Sequence, residues 1–497
     1  MAFIIWPGAY LSIVVLTLWR ALWFLSRRIR DGAARRETCS QEFEVLGRSR
    51  GSRKIKGTAV ICGGSYSGLL AARVCHDHFE RVVIIEPEEW LSTAEGTLTH
   101  AWAQKSNRSR VMQYLALNAT QVSTFEGLKK LYDSFVTESR VSGILISPAM
   151  LKIDFWGNAM NLRPEDLPEH THASRQAQET LIRRLTLNKK RYPNIQQIAG
   201  LVVGVQRHNH NLSSVRGVSV RVGKEVVTIS GTLFPDCTGS SHGLKWLARA
   251  GYGHSTSPGS LSISDIVTSY NPKARFSALT FPMSASLRER IDAFLPPRSS
   301  ATIYTCMANP EKQNTAAYAV EREGGMVMLC AGAWGDIELP TTLDEFSTFT
   351  KSRWMERPYP SFFLRLIDEL KEAEVEPTCC KYTTKPRTYT QYHKAGDLPS
   401  NWVAIGDSVM KLNPIFGMRT KTADYGFEST IPSEGETKKM GRQARWYEKR
   451  LKYLSIKDND VAMALFQVSQ SLAPAVDLLH PRILWKVFLD VIRNPHL

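Results

Sequence analysis

The order of apolar and polar stretches between residues 58 and 86 predicts a strand, a turn, a helix and a second strand. The apolar run Ala59–Cys62 is typical of a buried parallel strand. A turn rich in glycine and serine follows, and Leu69–His78 then carries apolar residues at the spacing of one helix face. A second apolar strand, Val82–Ile85, ends at the acidic Glu86. A unit of this order and length is typical of a dinucleotide-binding fold.

The turn in this unit has the composition of a phosphate-binding loop. Gly63 permits a tight turn, and Gly68 allows the helix to pack closely on the strand. The backbone N–H groups that open the helix, together with the helix dipole, favour a pyrophosphate. Glu86 lies eighteen residues after Gly68, near the spacing of an acid that accepts a ribose hydroxyl. Ser65 stands where a second glycine is usual, which weakens the motif, and an ordinary glycine turn is the alternative interpretation.

Apolar runs along the rest of the chain predict further elements of an α/β protein. Helices are predicted over most of the last 55 residues and over residues 92–141, 174–187, 343–355 and 362–370. Strands are predicted over residues 198–206, 215–222, 226–234 and 402–405. Alternating stretches that suit an antiparallel sheet lie at residues 301–307, 316–323 and 326–334.

The N-terminal stretch predicts a membrane anchor. Residues 3–25 are apolar apart from Arg20 and small polar residues, which makes the stretch long enough to cross a bilayer. Arginines follow at positions 27, 28, 30, 35 and 36, and such a flank favours the cytoplasmic side. We therefore expect a single-pass anchor in the endoplasmic reticulum membrane, with the rest of the chain facing the cytosol. A monotopic or re-entrant anchor is the alternative, and residues 31–56 are predicted to be a basic linker.

Composition restricts the possible partners. The chain has 497 residues, 43% hydrophobic and 22% charged, which indicates a globular protein of two or three domains. The net charge of +16 could suit nucleic acid, but no nucleic-acid motif occurs, so attraction to a membrane surface and to a phosphate-bearing cofactor is the better interpretation. Eight cysteines without a C-x-x-C pair indicate a reducing compartment. Three His-x-His pairs lack a cysteine or acid that would complete a site, so no metal is predicted.

Three segments taken together resemble a known family. Gly63–Glu86, Asp236–Gly239 and Gly406–Gly417 look like the three flavin signatures of FAD-dependent monooxygenases with the para-hydroxybenzoate hydroxylase fold. Ser174 and Arg175, at the head of a predicted helix, are also similar to that family, and the resemblance covers about residues 56–420. It implies an α/β protein with a Rossmann-like FAD-binding domain, an interleaved antiparallel-sheet substrate domain and a helical C-terminal tail.

The predicted domain boundaries follow from the anchor and the resemblance. The anchor takes residues 1–30, the linker 31–56 and the helical C-terminal region 428–497. The FAD-binding domain is expected to combine residues 57–95, 165–255 and 396–427, and the substrate domain residues 96–164 and 256–395.

The resemblance also implies which residues hold FAD. The first segment would hold the ADP half, with Glu86 on the adenosine ribose and Arg175 near the ribityl or phosphate region. Asp407 would bind a ribityl hydroxyl or the pyrophosphate side, and Pro414–Gly417 would shape the wall beside the isoalloxazine. Asp236–Gly239 would close the strand bundle near the flavin. The cofactor-binding residues implied in this way are Gly63, Gly64, Ser65, Ser67, Gly68, Glu86, Arg175, Asp236, Gly239, Gly406, Asp407, Pro414 and Gly417.

The activity implied by the resemblance is monooxygenation with FAD, NAD(P)H and O2. The cofactor carries the chemistry, so no side-chain nucleophile is required and no catalytic residue is singled out. The predicted anchor favours a squalene-epoxidase-like or secondary-metabolism type that hydroxylates or epoxidises a hydrophobic small molecule such as a terpenoid. Its substrate pocket is expected between the flavin and the sheet at residues 301–335.

Two alternatives stay open at this point. One is another flavin oxidoreductase on the same fold, either a prenyl reductase or a halogenase, although the W-x-W-x-I-P motif of tryptophan halogenases is absent. The other is a membrane-anchored relative without catalytic activity. Met418 and Arg419 stand where the family has groups that approach the flavin closely, and this departure puts flavin binding in question.

Overall fold

The structure, a computed structural model, describes most of the chain in thirteen ranges. The described residues are 7–38, 42–111, 114–148, 151–155, 157–208, 211, 213–239, 242–254, 258–295, 303–307, 314–352, 358–411 and 442–495. The chain divides into two compact units. The smaller unit is formed by Met1–Val45 with Met418–Leu497, and the larger unit by Leu46–Gly417.

The helices of the described residues are distributed over both units. They are α1 (Pro7–Glu37), α2 (Tyr66–His78), α3 (Val122–Leu131), α4 (Phe135–Val141), α5 (Arg175–Thr186), α6 (His242–Arg249), α7 (Ala285–Asp292), α8 (Leu343–Lys351), α9 (Ser361–Glu372), α10 (Arg442–Lys457), α11 (Asn459–Ser469) and α12 (Pro481–Arg493).

The strands of the described residues all belong to the larger unit. They are β1 (Ile55–Cys62), β2 (Phe79–Glu86), β3 (Leu145–Pro148), β4 (Leu151–Phe155), β5 (Asn158–Ala159), β6 (Glu169–His172), β7 (Ile195–Ala199), β8 (Leu201–Arg207), β9 (Val215–Val222), β10 (Glu225–Ser230), β11 (Phe234–Asp236), β12 (Val267–Tyr270), β13 (Ala274–Pro282), β14 (Ile303–Met307), β15 (Thr315–Arg322), β16 (Met326–Trp334), β17 (Thr378–Thr383), β18 (Arg387–Thr390) and β19 (Trp402–Ala404).

A five-stranded parallel sheet forms the centre of the larger unit, in the order β19-β11-β1-β2-β7. Successive side chains of β1 point to opposite faces of the sheet, and both faces are covered. Ala59 and Ile61 pack in one apolar cluster with residues of α2 and α5, whereas Val60 and Cys62 pack in another with residues of α6. Burial on both faces explains why this strand is a continuous apolar run in the sequence. The predicted strand–helix–strand unit is confirmed.

A seven-stranded sheet stands beside it in the larger unit, in the order β17-β13-β16-β15-β14-β4-β5. In this sheet β14 pairs with β4 in parallel, and the other described pairings are antiparallel. The three alternating stretches predicted to form an antiparallel sheet correspond to β14, β15 and β16. That prediction is confirmed.

The predicted helical region over residues 92–141 is correct only over residues 122–141. The α-helices there are α3 and α4, and short 3-10 turns and loop precede them. The loop is held by carboxylates: Glu95 Oε1 accepts the N–H groups of Lys105 and Ser106 at 2.7 Å each, and Glu88 Oε1 accepts that of Arg110 at 3.2 Å. Because side chains take these backbone donors, a helix is not needed to satisfy them.

The described residues of the smaller unit are mainly helical. Arg30 of α1 forms an ion pair with Asp477, with 2.8 Å between Nε and Oδ1, and Glu37 accepts the N–H of Ala475. Leu451 of α10 packs in an apolar cluster with residues of α11 and α12. The prediction that the last 55 residues are mainly helical is confirmed.

The predicted membrane anchor is wrong. Among the described residues, no helix is both long enough and apolar enough to cross a membrane. Helix α1 carries Arg20 within its apolar half and continues without a break through the arginines up to Arg36, so charge interrupts the apolar stretch. Three further predictions depended on that anchor and are also not supported: the single-pass topology, the endoplasmic reticulum location and the squalene-epoxidase-like type. Residues 31–37 belong to α1, so the first part of the predicted linker is helical.

Candidate functional site

The described parts of the three segments with flavin-like signatures meet at one edge of the parallel sheet. Strands β1, β11 and β19 are neighbours that run in the same direction, with Cys62 opposite Asp236 and Asp236 opposite Ala404. The segments that follow these three strands therefore lie side by side. The crevice beyond the carboxyl ends of parallel strands is where α/β proteins bind ligands.

The turn between β1 and α2 depends on two glycines. Gly63 has a φ of +105°, and a Cβ atom there would lie 2.7 Å from the carbonyl oxygen of Cys237. A Cβ atom at Gly68 would overlap the carbonyl oxygen of Gly63. Both positions therefore need glycine. Gly63 permits the tight turn, as predicted, and Gly68 lets the start of α2 lie against the Gly63 carbonyl oxygen.

The N-terminus of α2 is open to an anion. Ser65 is the N-cap residue, but its side chain accepts no hydrogen bond from the helix backbone and instead donates to Glu179 Oε2 at 2.9 Å. The first N–H groups of an α-helix have no partner within the helix. This helix end can therefore donate to a phosphate group.

Two further glycines join the three segments. Gly239 and Gly406 have positive φ angles of +66° and +64°. A Cβ atom at Gly239 would lie 3.6 Å from that of Asp407, and one at Gly406 would overlap the hydroxyl of Ser67. The N–H of Gly239 donates to Ser408 Oγ at 3.0 Å. The structure thus brings together the predicted residues Ser67, Gly239, Gly406 and Asp407.

Arg108 occupies the centre of the site and was not identified from the sequence. Its Nη2 lies 3.1 Å from Glu86 Oε1, and its Nε lies 2.7 Å from Glu88 Oε2. Its Nη1 donates to Glu179 Oε1. One buried guanidinium therefore joins three buried carboxylates at the end of β2.

Glu86 lies at the predicted place, but its carboxylate is fully engaged. It is 1% exposed and accepts hydrogen bonds from the N–H groups of Gly64, at 3.1 Å, and Glu88, at 3.0 Å, as well as from Arg108. Burial raises the pKa of Glu86, against the influence of Arg108 and Arg183. These contacts fix the loop to the end of β2, and the role of Glu86 on a ribose stays a prediction.

Glu179 of α5 is a buried carboxylate surrounded by three arginines. Its burial disfavours the charge, but Arg108, Arg175 and Arg183 outweigh that cost and lower the pKa of Glu179 to about 2. Arg183 Nη2 lies 3.0 Å from its Oε1 and also donates to the carbonyl oxygen of Gly64 at 2.7 Å. Glu179 is therefore ionised at neutral pH and organises the arginines around the loop.

Arg175 reaches the loop between β1 and α2 from α5, and its role near the cofactor stays a prediction. Its Nη2 donates to Ser65 Oγ at 3.1 Å, and its guanidinium lies over the ring of Tyr66, 4.4 Å from the ring centroid. Ser174, the N-cap residue of α5, accepts the N–H of Ala177 and so fixes the start of that helix. A cation is thereby held beside the open end of α2.

Asp236 ties two of the segments together from within the protein. It has no exposed surface, and its Oδ1 accepts from the N–H and hydroxyl of Thr238 and from Ser408 Oγ at 3.2 Å. Its Oδ2 has no hydrogen-bond partner among the described residues. Burial raises the pKa of Asp236. Asp236 therefore positions the two loops, and direct contact with a cofactor stays a prediction.

Asp407 lies in the turn after β19 and is exposed. Lys411, Arg175 and Arg387 are close enough to act electrostatically on its carboxylate. The remaining predicted residues, Pro414 and Gly417, lie outside the described residues, as do Met418 and Arg419.

Solved structures share this fold. The flavin-dependent brominase Bmp2 matches with a TM-score of 0.52 at 13% identity, over 89% of this chain and 100% of that one. A flavoprotein/dehydrogenase from Cytophaga hutchinsonii matches with a TM-score of 0.51 at 11% identity, over 89% of this chain and 100% of that one. No family model and no curated protein sequence matches the chain. The chain therefore has the fold of these flavoproteins, with a Rossmann-like parallel sheet beside an antiparallel one.

The described residues fit the phosphate end of a dinucleotide. The uncapped N-terminus of α2 and the nearby Arg175 supply donors for a pyrophosphate. The glycines at positions 63 and 68 let the loop fold tightly, because a Cβ atom at either position would meet a backbone carbonyl oxygen. A Cβ atom at Gly239 would be in ordinary contact with Asp407, whereas one at Gly406 would overlap Ser67.

Proposed function

We propose that this protein is an FAD-dependent oxidoreductase, and specifically a monooxygenase that uses NAD(P)H and O2 on a small molecule. The observation that carries the proposal is the meeting of three loops at the carboxyl ends of β1, β11 and β19, against the open N-terminus of α2. The shared fold of the flavoproteins described above supports it.

The chain's own residues would bind and orient the cofactor. When bound, FAD supplies electron transfer from NAD(P)H and the activation of O2. The first N–H groups of α2 and the guanidinium of Arg175 would hold the pyrophosphate. The lack of a side chain at Gly406 would keep its loop against Ser67 at the start of α2, and Gly239 would keep the second loop beside Asp407, so that the three loops together hold the cofactor. Asp407 would accept a hydrogen bond from a hydroxyl group of the ribityl chain or lie on the pyrophosphate side.

The antiparallel sheet would provide the substrate side of the site. Strands β14, β15 and β16 present apolar side chains such as Ile303, Val320 and Met328. A small molecule with an apolar body would pack on such a surface and be shielded from water, which is the protein's part in oxygen-transfer chemistry.

The direct test is reduction and reoxidation of bound flavin. The protein is reconstituted with FAD, mixed with NADPH or NADH without oxygen, and then exposed to O2 while the flavin absorption is followed. We expect the nicotinamide to bleach the flavin absorption and O2 to restore it. The Gly68→Ala variant should lose bound FAD, because its Cβ would overlap backbone, whereas Gly204→Ala, which has open space around it, should retain FAD. A wild-type protein that binds FAD but is reduced by neither nicotinamide would contradict the monooxygenase.

A halogenase is the second candidate, favoured by the fold shared with a flavin-dependent brominase. It would accept reduced flavin made by a separate reductase and would need bromide or chloride. Activity that appears only with an added flavin reductase and halide would favour this candidate over the monooxygenase.

A further inference from the structure

A cavity of about 320 Å³ lies beside the edge strand of the parallel sheet. That strand is β19, and its residues Trp402 and Val403 line the cavity. Further aromatic or apolar residues of the lining are Tyr389, Tyr392, Leu398 and Val409. The volume falls within the range of roughly 300–1,000 Å³ that is usual for small-molecule sites. A cavity with aromatic and apolar walls suits a planar ring.

The cavity adjoins the third flavin-like segment but is lined by other residues. Val409 lines it, and the N–H of Val409 donates to the carbonyl oxygen of Gly406 at 2.9 Å. Among the described residues that line the cavity, none is a residue assigned above to FAD. A second ligand could therefore occupy the cavity while the flavin site is filled.

Three cations lie beside this cavity. Arg387 belongs to β18, a strand that also contributes lining residues, and Lys411 lies two residues after Val409. The N–H of Lys411 donates to the carbonyl oxygen of Thr388 at 2.9 Å, so the two cations belong to adjoining segments. Lys385 is close enough to Lys411 to act on it electrostatically.

The positive charge of these three cations is only partly balanced. Asp407 is the carboxylate that acts on both Arg387 and Lys411, so three cations face one carboxylate. Burial lowers the pKa of Lys411; Asp407 opposes this shift, whereas Arg387 and Lys385 add to it. The Nε atom of Arg387 is buried without a hydrogen-bond partner among the described residues. An anion that carries several charges, such as a phosphate, would relieve the repulsion and fill the free donor.

We propose that the cavity and the three cations bind the adenosine half of NADPH, with adenine in the cavity and the 2′-phosphate on Lys385, Arg387 and Lys411. The identity of the ligand as NADPH rests on the proposed function, whereas the site for a phosphorylated ring compound rests on the cavity and the cations alone. NADH lacks the 2′-phosphate and so could not balance the excess positive charge in the same way. The nicotinamide coenzyme of the proposed function is thereby narrowed to NADPH.

The compound 2′,5′-ADP, which carries the adenine and the 2′-phosphate of NADPH, provides the test. Its binding to the full chain is measured by calorimetry with excess FAD present to occupy the flavin site, and is compared with the binding of adenosine and of pyrophosphate. We expect 2′,5′-ADP to bind about tenfold or more tightly than either, because adenosine lacks the charge and pyrophosphate lacks the ring. Pyrophosphate that binds as tightly as 2′,5′-ADP would show an anion site without a role for the cavity and would overturn the proposal.

Two variants remove the cations separately, so that the test stays valid if one of them does not fold. Arg387→Gln and Lys411→Gln should each weaken the binding of 2′,5′-ADP by about tenfold, because a hydrogen bond to a charged phosphate is lost. Lys224→Gln removes an exposed lysine between β9 and β10 and is the matched control, with binding like that of the wild type. Undiminished binding in the folded Arg387 and Lys411 variants would overturn the phosphate site.

A third variant tests the cavity without altering charge. Val403 lines the cavity and is 45% exposed, so tryptophan at this position would fill the space from the surface. Val403→Trp should weaken the binding of 2′,5′-ADP and leave the weaker binding of pyrophosphate unchanged. Wild-type affinity of Val403→Trp for 2′,5′-ADP would overturn the placement of adenine in the cavity.

The bleaching of bound flavin gives an independent readout of coenzyme preference. We expect a lower KM for NADPH than for NADH in the wild type, and Lys411→Gln should bring the two KM values closer together. FAD binding, followed separately by absorption, distinguishes this inference from the proposed function. A protein that binds FAD but not 2′,5′-ADP refutes the NADPH site alone. One that binds 2′,5′-ADP through Lys411 but binds no FAD supports the nucleotide site and refutes the flavoenzyme.

Discussion

Gly406 lies so close to Ser67 that a Cβ atom at residue 406 would overlap the Ser67 hydroxyl and lie 3.2 Å from the Ser67 Cβ. These two residues are far apart in the sequence, one in the turn after β19 and the other in the first turn of α2. Their contact brings the third flavin-like segment against the first. It is the most direct geometric sign that the three segments form one site.

Replacing Gly406 with alanine should separate these segments. The residue has a φ of +64°, which costs an alanine roughly 1 kcal/mol, and the methyl group would displace Ser67. We expect FAD affinity to fall by about tenfold or more, measured by titration with FAD, because a displaced loop spoils the positioning of the cofactor. Gly223 also has a positive φ, but the space around its Cβ position is open. The Gly223→Ala variant should therefore show the cost of the backbone strain without a loss of FAD affinity.

Arg108 should be essential for stability. Replacing it with methionine would leave the buried carboxylates of Glu86, Glu88 and Glu179 without their shared cation. Loss of one partner from a buried ion pair costs about 3–5 kcal/mol, and denaturant unfolding should show a decrease of that order. Arg290→Met removes an arginine from an ion pair with Glu369, but that arginine is 47% exposed, so it should cost at most about 1 kcal/mol. A similar small effect for both variants would show that the cluster does not depend on Arg108.

Stability should fall in mild acid because of two buried histidines. Burial lowers the pKa of His170 to about 4, and burial with the charge of His170 lowers that of His172 to about 3, from an ordinary value of 6.5. The unfolded chain therefore binds protons below pH 6.5 that the folded chain excludes until about pH 4. Stability present above pH 6.5 is lost as the pH falls, by about 1.4 kcal/mol per pH unit for each histidine.

Unfolding in denaturant at several pH values between 7 and about 4.5 checks this expectation. His170→Gln retains a donor for the carbonyl oxygen of Thr120 and should roughly halve the pH dependence. Glu179 contributes separately: its pKa is lowered from 4.5 to about 2, so its stabilisation is present above pH 4.5 and is lost below it. Stability that stays constant between pH 6.5 and 4.5 would show that the histidines titrate normally.

The elements that the sequence predicts well are those whose residues are buried by their neighbours in the sheet. Ala59–Cys62 is apolar throughout because both faces of the parallel sheet are covered. The following turn requires glycines because a Cβ atom there would overlap neighbouring backbone. The alternation in β15 also predicted a strand. It did not predict that Arg322 is as buried as the apolar residues of that strand, because alternation cannot show that both faces of the strand are covered.

Arg108 illustrates what pattern analysis misses. It lies in a loop without apolar periodicity, twenty-two residues after Glu86, and nothing in its local sequence distinguishes it from the neighbouring arginine at position 110. Its role arises from three carboxylates that come from β2, the turn after it and α5. The membrane prediction failed for a different reason. It gave the apolar composition of the N-terminal stretch more weight than the charged residues that interrupt this stretch.

The visible absorption spectrum of the purified protein after addition of FAD and removal of the free cofactor tests the central claim most directly. We expect flavin bands at an occupancy near one FAD per chain, with the Gly68→Ala variant colourless and Gly204→Ala coloured like the wild type. A folded wild-type protein that retains no FAD would contradict the proposed flavin site, because the loops at the ends of β1, β11 and β19 would then not bind the cofactor.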